Sequence, residues 1–208
     1  MTQEIKDLIA QNIVRVYAGG HSTYASGFVL ASAEGDKVVV TAAHFIRKAG
    51  KKAGITRFTV STGNEYLLLS GETITDVPFF PLPGGIDIAV APITNDELSE
   101  SRGLVVSQGL PETGSALQIV LKNGWGEPIP INGFLTQDNV NFPGKSLLTE
   151  LPGSVGLKPH YLAHGDSGSP VVNLATGEVV ATVVARAGVE DETGVIKNLM
   201  AGIVLLNR

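Results

Sequence analysis

Short apolar runs separated by glycine, proline and polar residues follow one another along almost the whole chain. This pattern constrains the fold more than any other feature of the sequence. The chain has 25 glycines and 11 prolines among 208 residues, which favours turns over long helices. Runs of about four to eight residues rich in valine, isoleucine and threonine, bounded by turn residues, are typical of β-strands. The sequence therefore predicts an all-β protein.

The apolar runs fall into two groups of about six. The first group comprises residues 14–18, 25–31, 37–41, 58–61, 65–69 and 87–93, and the second comprises 116–121, 129–136, 146–151, 170–173, 178–185 and 198–206. Between them lies 95–114, a polar stretch rich in glycine that we interpret as the connection between two halves. Two such groups predict two small antiparallel β-barrels, over 13–94 and 115–208, with a cleft between them.

One short helix is expected at the beginning of the chain. Thr2 is a residue type that caps helices well, because its side-chain oxygen accepts a hydrogen bond from a free backbone N–H group of the first turn. Ile5, Leu8, Ile9 and Ile13 follow at the spacing of one helix face. We therefore expect a helix that begins after Thr2 and includes Ile13 on its apolar face.

The composition excludes several classes of function. A net charge of −5 argues against binding to nucleic acid or to an anionic membrane surface, since both require a basic surface. The absence of cysteine excludes disulfides, a cysteine nucleophile and thiolate metal sites. The histidines are too scattered for a ligand set, and no glycine-rich phosphate loop is present. We therefore expect no metal and no cofactor.

The expected location is intracellular. The first residues carry neither the basic nor the apolar region of a signal peptide, and no run of about 18 apolar residues occurs that would span a membrane. The lack of cysteine fits a reducing compartment. These features predict a bacterial cytosolic protein or the product of a viral polyprotein.

Three short segments carry residues suited to nucleophilic catalysis. Ser167 lies between two glycines, but a serine hydroxyl is a poor nucleophile until a base takes its proton. His44 follows the apolar run 38–40, which predicts a position at the end of a strand. Asp87 follows a turn rich in proline and glycine and precedes another strand, where a carboxylate becomes partly buried. Nucleophile, base and orienting acid are thus all available.

The order of these residues discriminates among serine hydrolases. All four histidines precede Ser167, whereas an α/β-hydrolase has its histidine after the nucleophile, and the segment 165–169 lacks the final glycine of that elbow. The subtilisin order needs an aspartate before the histidine. Only Asp7 and Asp36 precede His44, and both have polar neighbours. The order His, Asp, Ser remains.

Three blocks resemble the signature of the trypsin/chymotrypsin-like serine proteases. They are Thr41-Ala42-Ala43-His44, Asp87-Ile88-Ala89-Val90 and Gly165-Asp166-Ser167-Gly168-Ser169-Pro170-Val171-Val172. Upstream, Ser26-Gly27-Phe28-Val29 resembles the strand that precedes the histidine block in this family. The resemblance covers the chain from about residue 13 to residue 206. It implies two six-stranded antiparallel β-barrels, to which this chain adds its short N-terminal helix.

The resemblance also implies roles for matching residues. His44 would act first as general base and then as general acid, Asp87 would orient it, and Ser167 would be the nucleophile. The backbone N–H groups of Gly165 and Ser167 would form the oxyanion hole. The implied activity is that of a serine endopeptidase that cleaves an extended polypeptide through an acyl-enzyme, without a cofactor.

Specificity follows less directly from the resemblance. Tyr161 would lie near the base of the pocket for the residue before the scissile bond, and no aspartate takes that place, so a preference for lysine or arginine is not expected. Arg186, on the strand 183–188 that would pair with substrate, would favour an acidic or polar side chain or else be an exposed loop residue. His164 would touch substrate or cap the serine turn.

The aspartate before the nucleophile departs from the pattern of the digestive enzymes. In those enzymes a freed amino terminus pairs with it, and no such cleaved start is visible in this sequence. A buried carboxylate without a partner is costly, so we expect Asp166 to pair with Lys122 or, failing that, with Arg186. Two other interpretations stay open, a catalytically silent peptide-binding module of the same fold and a protease that processes its own polyprotein. The sequence shows no coiled-coil pattern that would define an oligomeric state.

Overall fold

The computed structural model describes residues 2–18, 23–32, 34–48, 52–60, 66–68, 74–93, 101–108, 116–121, 124–125, 129–130, 154–157, 165–190 and 196–205. Two helices and fifteen strands lie in these ranges. They are α1 (Gln3–Gln11), β1 (Ile13–Ala18), β2 (Thr23–Ala31), β3 (Lys37–Ala42), α2 (Ala43–Lys48), β4 (Lys52–Val60), β5 (Tyr66–Leu68), β6 (Ile74–Pro78), β7 (Phe80–Pro81), β8 (Ile88–Pro92), β9 (Ala116–Leu121), β10 (Gly124–Trp125), β11 (Ile129–Pro130), β12 (Ser154–Leu157), β13 (Pro170–Asn173), β14 (Val179–Glu190) and β15 (Ile196–Leu205). Neither helix in this part of the chain combines the length and apolar character needed to cross a membrane.

Helix α1 begins where the sequence predicts and ends earlier. The Thr2 hydroxyl accepts a hydrogen bond from the Ile5 N–H at 3.4 Å, which confirms the predicted cap. The expectation that Ile13 continues the helix is wrong, because β1 begins at Ile13, which pairs with Phe28. The physical reason lies at Asn12, whose carbonyl accepts the Val29 N–H at 2.8 Å and so directs the chain into the sheet.

The strands form two antiparallel sheets. In the first, the order is β5-β4-β1-β2-β3-β8-β7, and β6 also pairs with β4. In the second, the order is β10-β9-β13-β14-β15-β12, and β11 also pairs with β9. The predicted mostly antiparallel β-structure with a short N-terminal helix is therefore confirmed. Within the described residues the pairs make sheets of eight and seven strands and do not close either sheet into a ring.

Most predicted strands match observed ones, and the additional strands are short. Strands β6 and β7, five and two residues long, lie outside the predicted runs, and each ends at a proline. Proline has no N–H to donate to a neighbouring strand, so it is typical of strand ends and sheet edges and weakens the sequence signal. Of the predicted run 129–136 only β11 is described, and the predicted run 146–151 lies wholly outside the described residues.

The two sheets share a core and a hydrogen-bonded connection. The segment 101–108, within the predicted connection, crosses between them: the Leu104 N–H donates to the Val29 carbonyl at 2.8 Å, and the Val179 N–H donates to the Val105 carbonyl at 2.8 Å. Apolar side chains from both halves make one buried cluster: Ile9, Ile13, Phe28, Val40, Ile88, Leu104, Val120, Val172, Val179 and Val184. Burial of this cluster holds the sheets against each other.

Candidate active site

The register of β3 and β8 brings His44 and Asp87 together. Ala42, the last residue of β3, pairs with Ile88, the first residue of β8, so the residues next to that pair are neighbours. The Ala43 N–H donates to the Asp87 carbonyl at 3.1 Å and continues the ladder by one step. The sequence places His44 at a strand end; in the structure the strand has ended, and His44 is the second residue of α2.

The Asp87 carboxylate contacts both the backbone and the ring of His44. Oδ1 accepts the His44 backbone N–H at 2.6 Å, and Oδ2 lies 2.6 Å from Nδ1 of the ring. The Asp87 side chain is 4% exposed and the His44 side chain 37% exposed. Because an ionised carboxylate only accepts hydrogen bonds, this contact favours the tautomer with hydrogen on Nδ1, which leaves Nε2 to accept a proton.

Arg47 is a third partner of Asp87 that sequence reasoning missed. Its Nη2 donates to Asp87 Oδ1 at 2.9 Å, and its side chain is 49% exposed. Arg47 follows His44 by three residues in α2, so both side chains lie on one face of the helix. The spacing of three residues between His44 and Arg47 is the sequence signal that could have identified Arg47. The carboxylate thus accepts one backbone and two side-chain hydrogen bonds, and its position and orientation are fixed on several sides.

The turn that carries Ser167 is shaped by two glycines in the left-handed region. Gly165 has φ of +93° and Gly168 has φ of +89°, where residues with a Cβ are strained. A Cβ on Gly168 would overlap the Ser26 carbonyl oxygen, so the space also requires glycine. The Gly168 N–H donates to the Val183 carbonyl at 2.6 Å, which ties the turn to β14. The predicted tight turn with a glycine on each side is therefore present.

The serine turn is bound to the strands that lead to His44. The Ser26 N–H, in β2, donates to the Ser167 carbonyl at 2.9 Å. The Ser26 carbonyl accepts the Thr41 hydroxyl at 2.7 Å, and Thr41 lies three residues before His44. His44 and Asp87 are thus in direct contact, and Ser167 is linked to them through Ser26 and Thr41.

The other predicted site residues are less fully described. Tyr161, His164 and Lys122 lie outside the described residues. Arg186 lies in β14, opposite Ala201 of β15, but its side chain is outside the described set. Asp166 is 1% exposed, as expected of a carboxylate that needs a partner. Its pairing with Lys122 or Arg186 stays a prediction.

Comparison with known proteins gives matches in structure and none in sequence. No protein-family model and no curated protein sequence matches the chain. Among solved structures, the Rv3671c protease from M. tuberculosis in its active form has a TM-score of 0.59 at 14% identity, over 97% of this chain and 79% of that one. The serine protease of a human pathogenic astrovirus has a TM-score of 0.56 at 13% identity, over 95% and 90%.

A third similar structure is the MamO protease domain from Magnetospirillum magneticum. It has a TM-score of 0.55 at 15% identity, over 96% of this chain and 94% of that domain. At these identities the likeness establishes the fold alone. The resemblance seen in the three sequence blocks is thus confirmed in the backbone: the chain has the fold of the trypsin/chymotrypsin-like serine proteases.

Proposed function

We propose that the chain is a serine endopeptidase in which Ser167 is the nucleophile, His44 the general base and acid, and Asp87 the residue that orients His44. The observation that carries this proposal is the 2.6 Å contact between His44 Nδ1 and a buried Asp87 carboxylate. A buried carboxylate on one ring nitrogen fixes the imidazole and stabilises the imidazolium that forms during acyl transfer.

The first half of the reaction forms an acyl-enzyme. Ser167 Oγ attacks the carbonyl carbon of the scissile peptide bond, and its proton moves to His44 Nε2. The carbonyl oxygen becomes an oxyanion. The C–N bond then breaks, and the His44 imidazolium gives its proton to the departing amine, which leaves the acyl group as an ester on Ser167.

The second half returns the enzyme to its starting state. A water molecule attacks the ester while His44 Nε2 takes one of its protons. The ester C–O bond breaks, and the same proton returns to Ser167 Oγ as the carboxylic acid product leaves. Asp87 stays a hydrogen-bond acceptor throughout and needs to exchange no proton.

The proposed oxyanion hole consists of the backbone N–H groups of Gly165 and Ser167. Donors already aimed at the developing charge avoid reorganisation during the reaction, and the loss of one costs roughly 3 kcal/mol of transition-state stabilisation. The left-handed φ of Gly165 and the link from Ser167 to β2 support a turn that keeps a fixed shape.

The proposed substrate is a polypeptide in extended conformation. The pairing of β14 with β13 ends at the pair Pro170↔Thr182, but β14 itself continues to Glu190. An extended peptide would add to this length of β14 beside the serine turn. Within the same proposal, Tyr161, His164 and Arg186 contact substrate, and the two sheets correspond to the two six-stranded barrels of the family, over 13–94 and 115–208.

A fluorophosphonate probe tests the proposal directly, because it reacts with a serine activated by a neighbouring base. We expect intact-mass analysis to show one adduct on the wild-type chain, peptide mapping to place it on Ser167, and Ser167→Ala to abolish it. Ser101→Ala is the control and should leave the labelling unchanged, since the Ser101 hydroxyl is buried and hydrogen-bonds to Asn12. A folded wild-type chain that takes up no probe would contradict the enzyme and favour a silent peptide-binding module.

A further inference from the structure

At Ser26, the edge of β2 that faces β3 is no longer paired with β3. The last pair between these strands is Gly27↔Thr41, after which β3 ends at Ala42 and α2 begins. At Ser26 the strand therefore offers its N–H and carbonyl beyond the last pair with β3. The serine turn occupies this place, since the Ser26 N–H donates to the Ser167 carbonyl at 2.9 Å.

The Ser26 side chain makes a second bond to the same turn. Its hydroxyl donates to the Gly165 carbonyl at 2.7 Å. Ser26 is 3% exposed, and its carbonyl accepts the Thr41 hydroxyl, so the N–H, hydroxyl and carbonyl of this one residue are all hydrogen-bonded. Two of the three bonds go to the residues whose N–H groups form the proposed oxyanion hole.

The ring of Tyr24, two residues earlier in β2, supports Gly165 from another side. A Cβ placed on Gly165 would lie 2.8 Å from Tyr24 Cε2, so the ring packs directly against this glycine. The ring is itself held by its neighbours in β1. The guanidinium carbon of Arg15 lies 4.6 Å from the ring centroid, and the Tyr17 ring, directly across the strand pair, lies 6.1 Å away at a tilt of 56°.

We propose that Ser26 and Tyr24 are positioning residues that hold the oxyanion-binding turn from the first sheet. The inference rests on the proposed function and adds the means by which the turn keeps its shape. The hydroxyl of Ser26 fixes the plane of the Gly165–Asp166 peptide, and the Tyr24 ring blocks movement of Gly165 toward β1. Each acts through Gly165 and neither touches the reacting atoms.

This role predicts that substitutions at Ser26 and Tyr24 change kcat much more than KM. The oxyanion exists in the transition state and not in bound substrate, so a loosened turn lowers kcat and leaves KM nearly unchanged. We expect Ser26→Ala to lower kcat and the rate of fluorophosphonate labelling by about tenfold, the effect of one net hydrogen bond. Tyr24→Ala is expected to act similarly, and Tyr24→Phe, which keeps the ring, to restore most of the rate.

Stability is measured alongside, so that a general loss of folding is recognised. Ser101→Ala removes a buried hydroxyl that is hydrogen-bonded away from the serine turn. It should lower the melting temperature and leave kcat within about twofold. If Ser26→Ala does not fold, Ser26→Cys takes its place, because a thiol is similar in size but a weak donor. A folded Ser26 variant with wild-type kcat would overturn the proposal.

Hydrogen exchange tests the positioning role without any need for activity. In a Ser167→Ala background, adding Ser26→Ala should speed exchange of the Gly168 and Ser169 amides by about tenfold, and adding Ser101→Ala should not. Unchanged exchange at both amides would contradict the positioning role even in an active enzyme. Faster exchange in a chain that takes up no probe would support that role and contradict the proposed function alone.

Discussion

The two parts of the candidate site are built in different ways. On the first sheet, His44 and Asp87 are joined by side-chain contacts of a buried carboxylate. On the second, the serine turn is shaped by backbone hydrogen bonds and by two glycines with positive φ. The first part depends on charge and on which atoms donate and accept, and the second depends on the space around a main chain. Substitutions at the charged contact should therefore act mainly on activity, and substitutions that add atoms at the glycines of the turn should act mainly on stability.

Asp87→Asn is expected to have the largest effect, and on activity. An amide nearly preserves the shape of the carboxylate but presents an NH₂ group, which favours the wrong histidine tautomer and does not stabilise the imidazolium. We expect kcat to fall by about 10⁴-fold, with a small change in the free energy of unfolding. Peptide cleavage and urea denaturation measure the two quantities. Asp36→Asn, at an exposed turn, is the control and should change neither.

Gly168→Ala is expected to act on stability. The new Cβ would overlap the Ser26 carbonyl oxygen and would hold a residue at φ of +89°. Gly35 is a matched control, because it has nearly the same φ of +91° and nothing within 4 Å of the position that a Cβ would take. We expect Gly35→Ala to cost about 1 kcal/mol of unfolding free energy, the strain alone, and Gly168→Ala to cost about 3 kcal/mol or more. Equal losses in urea denaturation would show that the crowding at Ser26 is relieved by small movements.

Arg47→Gln should have the smallest effect of the three. The guanidinium is half exposed, and ion pairs at such positions contribute about 1 kcal/mol or less. We expect kcat to fall by about threefold, the effect to shrink at high salt, and Arg47→Lys to retain most of the rate. A loss as large as that of Asp87→Asn would show that Arg47 is part of the chemical machinery and does more than fix the carboxylate.

The sequence reveals most of each part but not how the parts meet. The three blocks are visible because each is local: an apolar strand before His44, a turn before Asp87, and glycines around Ser167. The short strands β6 and β7, which end at prolines, were not predicted, because too few residues show the alternation of apolar and polar side chains. The role of Ser26 could not be predicted from the sequence either. Its bond to Gly165 joins residues 139 apart in the chain, and local periodicity gives no information about such a contact.

That long separation also sets the time at which the site comes into being. Loops of this length close late, because the entropy of bringing their ends together is lost before the contact is made. His44 and Asp87 directly adjoin strands β3 and β8 of the first sheet, whereas the bonds to Ser26 require the chain beyond residue 165 to have been synthesised and docked. A growing chain on the ribosome therefore carries an unfinished oxyanion hole. Under the proposed function, peptide cleavage therefore requires the segment 165–168 to have docked against β2, and a chain still being synthesised does not have this contact.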